Sequence, residues 1–189
     1  MRKKNKNSAR SNRHSNLSHK IFIKNEDHLF DLLKDKKEPF LLILDEIQDP
    51  HNLGACLRTA DAAGVDAVIV PKDRAVSLTD TVRKIACGAA ESIMFVQATN
   101  IATVIRKLKE KGVWIVGTSD RADKSLYQVD MKGPLAIIIG SEAKGIRRLT
   151  TDLCDFLVSI PMQGKVECLN ASVATGVCLF EAVRQRGNG

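Results

Sequence analysis

With 189 residues, 44% hydrophobic and 27% charged, the chain is long enough for one domain with a substantial core. No apolar run reaches the roughly 18 residues of a membrane-spanning helix, and no apolar stretch follows the basic start as in a secretory signal. The net charge of +7 is concentrated in residues 1–20, which hold Arg2, Lys3, Lys4, Lys6, Arg10, Arg13 and Lys20 and no acid, so the remainder is formally neutral. This Asn- and Ser-rich segment reads as a disordered basic tail that contacts phosphates, or as a solubilising extension. An organelle transit peptide would need an apolar face that the segment lacks. Residues 21–189 read as one folded domain.

Taken in chain order, short runs rich in Ile, Val and Leu alternate with helical segments. A helix is predicted over 27–33 and a strand over 40–44. A helix follows over 52–63, opened by Asn52 as a capping residue and closed by Gly64. A strand over 67–70, a helix over 77–86 and a strand over 93–96 come next. The helix over 99–111 ends at Gly112. Strands over 113–117, 135–140 and 156–160 precede a C-terminal helix that opens with Asn170 and Ser172. That helix puts Leu169, Val173, Val177 and Phe180 on one face. The alternation predicts an α/β fold with a mostly parallel sheet flanked by helices.

The five cysteines, Cys56, Cys87, Cys154, Cys168 and Cys178, are odd in number and scattered, and no CxxC pair exists. Disulfides and a metal site are both poorly supported, and a reducing cytoplasm fits best. Most of these thiols read as small core residues.

In open α/β sheets a ligand binds beyond the carboxyl ends of the strands. Three unusual segments lie there: DEIQDPHNLGACLRTADAAG after the first strand, GSEAKGIRRL after 135–139, and IPMQGKVECLNAS after 156–160. Gly117-Thr118-Ser119 is a weaker fourth. None matches GxGxxG or GxxxxGK[ST], so neither a dinucleotide loop nor a P-loop is indicated. Arg58 presents a fork of donors suited to phosphate or to a developing oxyanion, although a surface salt bridge would use the same residue. Gly140 and Gly145 bracket Ser141 and Glu142 and would let backbone approach a ligand. Asn170 and Ser172 are small polar groups suited to a ligand site or to a helix cap. His51 beside Pro50 reads as exposed. With no Ser-His-Asp set or carboxylate pair, hydrolase chemistry is poorly supported.

Together, N-x-G-x-x-x-R (Asn52, Gly54, Arg58), G-S-E-x-x-G (Gly140, Ser141, Glu142, Gly145) and P-M-x-G-x-x-x-x-L-N-x-S-x-A (Pro161, Met162, Gly164, Leu169, Asn170, Ser172, Ala174) resemble the SpoU (TrmH-type) RNA ribose 2′-O-methyltransferases over about residues 38–186. PKDRAVSLTDTVRKIACGAAE (residues 71–91) and the ending SVATGVCLFEAVRQR are most similar to the bacterial 23S rRNA guanosine 2′-O-methyltransferase branch, the RlmB type.

The resemblance implies the SPOUT fold with a C-terminal trefoil knot and S-adenosyl-L-methionine as cofactor. It places the cofactor near Thr118, Gly140, Ile160, Met162, Leu169 and Asn170. It implies a homodimer acting on RNA, rRNA above all, with Arg58 beside the subunit boundary. Arg58, Asn52 and Glu142 would form the catalytic set: Arg58 stabilising the developing alkoxide, Asn52 holding substrate or Arg58, and Glu142 orienting the arginine. Ser172, Cys168, Lys144, Arg147 and Arg148 would contact the RNA, and no metal is implied. Two departures stand out. Cys168 replaces a serine usual in the family, and a thiol is the weaker hydrogen-bond partner. Relatives of this branch usually carry a separate N-terminal RNA-binding domain, where this chain has the basic tail. A tRNA substrate and a non-catalytic ribosome-binding role are the alternatives.

Overall fold

In the computed structural model, which describes residues 23–187, helix α1 (Glu26–Leu32) leads into strand β1 (Phe40–Asp45). The expected basic tail, residues 1–20, lies outside the described residues. The chain continues through α2 (Pro50–Ala62), β2 (Ala67–Pro71), α3 (Asp80–Ala86), α4 (Ala89–Ser92), β3 (Met94–Ala98) and α5 (Ile101–Glu110). Next come β4 (Trp114–Thr118), β5 (Lys124–Ser125), β6 (Leu135–Gly140), α6 (Arg148–Thr151), β7 (Phe156–Ser159) and α7 (Ala171–Gly187).

The strands form one sheet in the order β3-β2-β1-β6-β4-β7-β5, with every pairing between them parallel. A parallel sheet must be covered on both faces, and period-two alternation sorts each strand's side chains between the two covers. Leu42, Leu44, Val68, Val70, Phe95, Ile137 and Ile139 join one core cluster, which also takes side chains of α2, α3, α4 and α7. Leu41, Ile43, Ile69, Val96, Ile115 and Ile138 join the other, with side chains of α1 and α5. The central strands β1, β2 and β6 are buried on both faces, which is why they read as continuous aliphatic runs.

The expected α/β fold is present, with differences of detail. Helix α2 starts earlier than expected: Asp49 is its cap, accepting the His51 N–H at 2.9 Å, and Pro50 opens the first turn. Asn52 is therefore not the cap, and its side chain is free for another role. Helix α3 starts later, at Asp80, with Thr79 as its cap. The short α4, α6 and β5 have no counterpart in the sequence pattern.

The face of α7 carrying Val173 and Phe180 is exposed (51% and 49%), whereas Ala171, Thr175, Cys178, Leu179 and Ala182 are buried. Those small residues allow close approach to α2, where Cys56 Sγ lies 3.3 Å from Thr175 Oγ1. Only Cys56 and Cys178 are fully buried. Cys154 is half-buried against a core cluster, so most of the thiols are core residues as expected, while Cys87 and Cys168 are exposed.

Candidate functional site

Strands β1, β6, β4 and β7 lie side by side, so the segments that follow them converge at one edge of the sheet. Gly140 ends β6 in register with Asp45 at the end of β1. The chain then folds back on itself: Gly145 N–H donates to Ser141 O (2.8 Å) and Ser141 N–H to Gly145 O (3.2 Å). A methyl group at Gly140 would overlap the backbone of Gly145 and Ile146. The glycine thus serves the loop's own close approach rather than a ligand's, and Gly145 supplies the positive φ of 65° that closes the turn.

Beyond these strand ends lies a cleft of about 510 Å³. Five residues expected at the cofactor, Thr118, Gly140, Ile160, Met162 and Leu169, line it. Glu142, Lys144 and Cys168 line it as well. Asp120, Arg121 and Glu167 also line it and were not anticipated, although Asp120 and Arg121 directly follow the small-residue run 117–119. The lining therefore combines aliphatic walls with three carboxylates and two basic side chains, Arg121 and Lys144.

At the mouth, three distant segments meet on one carboxylate oxygen. Glu142 Oε1 accepts from Asn52 Nδ2 (3.1 Å), from the Ala171 backbone N–H (3.1 Å) and from Asn170 Nδ2. Asn170 Nδ2 also lies 3.0 Å from Asn52 Oδ1. Asn170 Oδ1 in turn accepts from Ser172 N–H (3.0 Å) and Ser172 Oγ–H (2.6 Å), so it caps α7 while its amide faces Glu142. The helix-cap reading of these small polar residues is thus met, and neither Asn170 nor Ser172 is among the residues that line the cleft.

Arg58 is exposed on α2 and outside the cleft lining, with Nη1 3.6 Å from Cys87 Sγ. The expected contact with Glu142 is absent among the hydrogen bonds of Arg58, which reaches this thiol instead, while Glu142 Oε1 binds the two asparagines and Ala171. Asn52 likewise serves Glu142 rather than Arg58. Arg147 is turned inward, Nη2 lying 2.6 Å from Asp45 Oδ1, so its placement does not support the phosphate contact expected of it. Lys144 and Arg148 are exposed. His51 is exposed as expected. Burial pushes the Cys56 thiol beside Thr175 up to about 11. Among the described residues no group of three or more His, Cys, Asp or Glu side chains could hold a metal ion, and no helix is long and apolar enough to cross a membrane.

Comparison with known proteins adds three findings. A family model described as "SpoU rRNA Methylase family" matches residues 39–180. The chain is 64% identical over 161 residues to 23S rRNA (guanosine-2′-O-)-methyltransferase RlmB of Shewanella oneidensis and 60% identical over 161 residues to that of Escherichia coli (strain K12). The matches cover 85% of this chain but only 65% and 66% of those relatives, so the chain spans just under two thirds of their length. Among solved structures, the SpoU methyltransferase AviRb of Streptomyces viridochromogenes with AdoMet superposes at a TM-score of 0.78, with 29% identity, over 84% of this chain and 65% of that one. A TrmH/SpoU tRNA modifying enzyme of A. aeolicus superposes at 0.73, with 27% identity, over 86% and 83%.

Proposed function

Because the chain belongs to the SpoU rRNA methylase family, we propose that it transfers a methyl group from S-adenosylmethionine to the ribose 2′-oxygen of a guanosine in 23S rRNA. The observation that carries this reading is the junction on Glu142: Asn52, Glu142 and Asn170 come from three separate motifs and meet at the mouth of the cleft. The cleft fits the cofactor chemically. Asp120, Glu142 and Glu167 complement a cationic ligand, while Ile139, Val158, Ile160 and Met162 offer apolar walls. When bound, the cofactor supplies a methyl group already activated on a sulfonium.

The protein's own residues then have two tasks, positioning and charge stabilisation. Glu142 fixes the start of α7 through Asn170 and Ala171, and with it one wall of the cleft. The Arg58 guanidinium, a fixed fork of donors, stabilises the developing alkoxide while a substrate phosphate or solvent takes the hydroxyl proton. Its place outside the cleft suits contact with RNA rather than cofactor. Lys144, Arg148, Cys168 and Ser172 complete the RNA side, and residues 1–20 serve as a phosphate-contacting arm ahead of the domain at 21–189.

The same reading includes a threaded C-terminus, a cytoplasmic enzyme and a homodimer. The apolar face left open on α7 supports the dimer.

The test is methyl transfer from labelled S-adenosylmethionine to unmodified 23S rRNA, with tRNA alongside and the product position mapped. A 2′-O-methylguanosine in 23S rRNA alone is expected. Transfer to tRNA alone would move the substrate to the tRNA side, where the likeness to a tRNA modifying enzyme already points.

A further inference from the structure

Asp45 is fully buried, with 0% exposure. A buried carboxylate is costly unless paired and hydrogen-bonded. One residue, 102 positions away, supplies that pairing. Arg147 donates its backbone N–H to Asp45 Oδ2 at 3.0 Å and its Nε to Oδ1 at 2.8 Å, and its Nη2 lies 2.6 Å from the same Oδ1. Next to Asp45, Glu46 takes a positive φ of 65°. Its carboxylate lies 3.7 Å from Arg147 Nε and 3.4 Å from Arg74 Nη1.

The consequence is geometric. The segment between Gly140 and Arg147 is closed at both ends. Gly140 is held by its pairing with Asp45 in the sheet, and Arg147 is held by the side chain of that same Asp45. Between these anchors the Ser141–Gly145 turn projects Glu142 toward Asn52 and Asn170 and presents Ala143 and Lys144 to the cleft. Only the Asp45 side of the pair is buried, Arg147 keeping 38% of its side chain exposed; an ion pair with a buried member is a weak source of stability compared with apolar residues of similar volume, and its best-attested use is to fix one arrangement among several.

We propose that Asp45 and Arg147 are a positioning pair: by pinning the far end of the 140–147 loop to the end of β1, they set the location of Glu142 and the shape of the cofactor cleft. The inference rests on the proposed methyltransferase reading. It turns Arg147 from an RNA contact into a residue that acts through the loop on the cofactor.

The test compares full-length wild type with Arg147→Lys and Asp45→Asn. Lysine keeps the charge but loses the planar fork, and asparagine keeps the shape but loses the charge. S-adenosylmethionine affinity is measured by calorimetry, affinity for a 23S rRNA fragment by fluorescence anisotropy, and folding by circular dichroism at the same temperature. Folded variants are expected to bind S-adenosylmethionine about 10- to 100-fold more weakly, the span typical of residues that orient others, with RNA affinity within about twofold of wild type. Unchanged cofactor affinity in both variants overturns the proposal. So does RNA affinity that falls in step with cofactor affinity, since that marks either direct RNA contact or general loss of structure. If one variant does not fold, the other decides by the same criteria, and if neither folds, the pair is a stability element and the proposal is overturned. Wild type that binds no S-adenosylmethionine would instead remove the functional reading itself.

Discussion

At Glu142 a single carboxylate oxygen accepts from two asparagine amides and a backbone N–H. Hydrogen bonds to a charged group are worth about 1.5–3 kcal/mol each, so the junction holds three segments with a strength no neutral side chain would match. Asn52, Glu142 and Asn170 were legible as motif members from their residue types and spacing. Their mutual bonding was not, because it depends on which strand ends become neighbours. Asp45 opens the first of the three unusual segments but was missed as a site residue because its partner, Arg147, is 102 positions away, and Cys87 because a lone thiol carries no pattern. Arg58 is the residue on which the proposed chemistry turns. Arg58→Ala is expected to lower kcat by about 10²–10³-fold, as loss of an oxyanion-stabilising donor does. It should leave S-adenosylmethionine affinity unchanged, because Arg58 lies outside the cleft lining. Rapid-quench methyl transfer beside calorimetry checks both, and an equal loss of cofactor binding would make Arg58 structural.

Among the elements, the six principal strands were legible to within a residue or two, because double-sided burial forces unbroken aliphatic runs. The two-residue β5 and the four-residue α4 and α6 exist through tertiary contacts and leave no periodic trace. Helix α7 is more instructive. Val173 and Phe180 of its predicted apolar face point outward although Val177 packs on the core, while its buried residues are mostly Ala, Thr and Cys beside Leu179 and Glu181, which hydropathy patterns underweight. An outward stripe of this kind suits a second copy of the chain. Phe180→Glu would place a charge in that proposed contact and is expected to convert the proposed dimer to a monomer in sedimentation equilibrium. Thermal stability should fall by no more than the roughly 0.5 kcal/mol typical of surface changes. A variant that stays dimeric would place the interface elsewhere.

Across the whole molecule, three partly or fully buried thiols couple stability to alkaline pH. Burial is the leading cause in each case, pushing Cys56 up to about 11 and Cys154 and Cys178 up to about 12, from an ordinary value of 9.0. The folded state holds these protons where the unfolded chain releases them. Their contribution is therefore complete below pH 9.0 and is lost as pH rises toward 11 and 12. The melting temperature is expected to be level across the neutral range and to fall above pH 9.0, with a shallower fall in Cys178→Ala once its own cavity cost is subtracted. Parallel slopes for wild type and variant would remove Cys178 from the account.

The strand order also dictates how the chain must come together. β1, near the middle of the sheet, pairs on one side with β2, which follows it closely, and on the other with β6, where Phe40 meets Leu135. No hairpin joins any two strands, so each addition closes a loop before it gains contacts. As synthesis proceeds from the amino terminus, the inner edge of β1 stays unpaired until residues 135–140 have left the ribosome. The polypeptide exposes a long aliphatic edge during that interval, and its window of vulnerability to aggregation closes only when β6 docks.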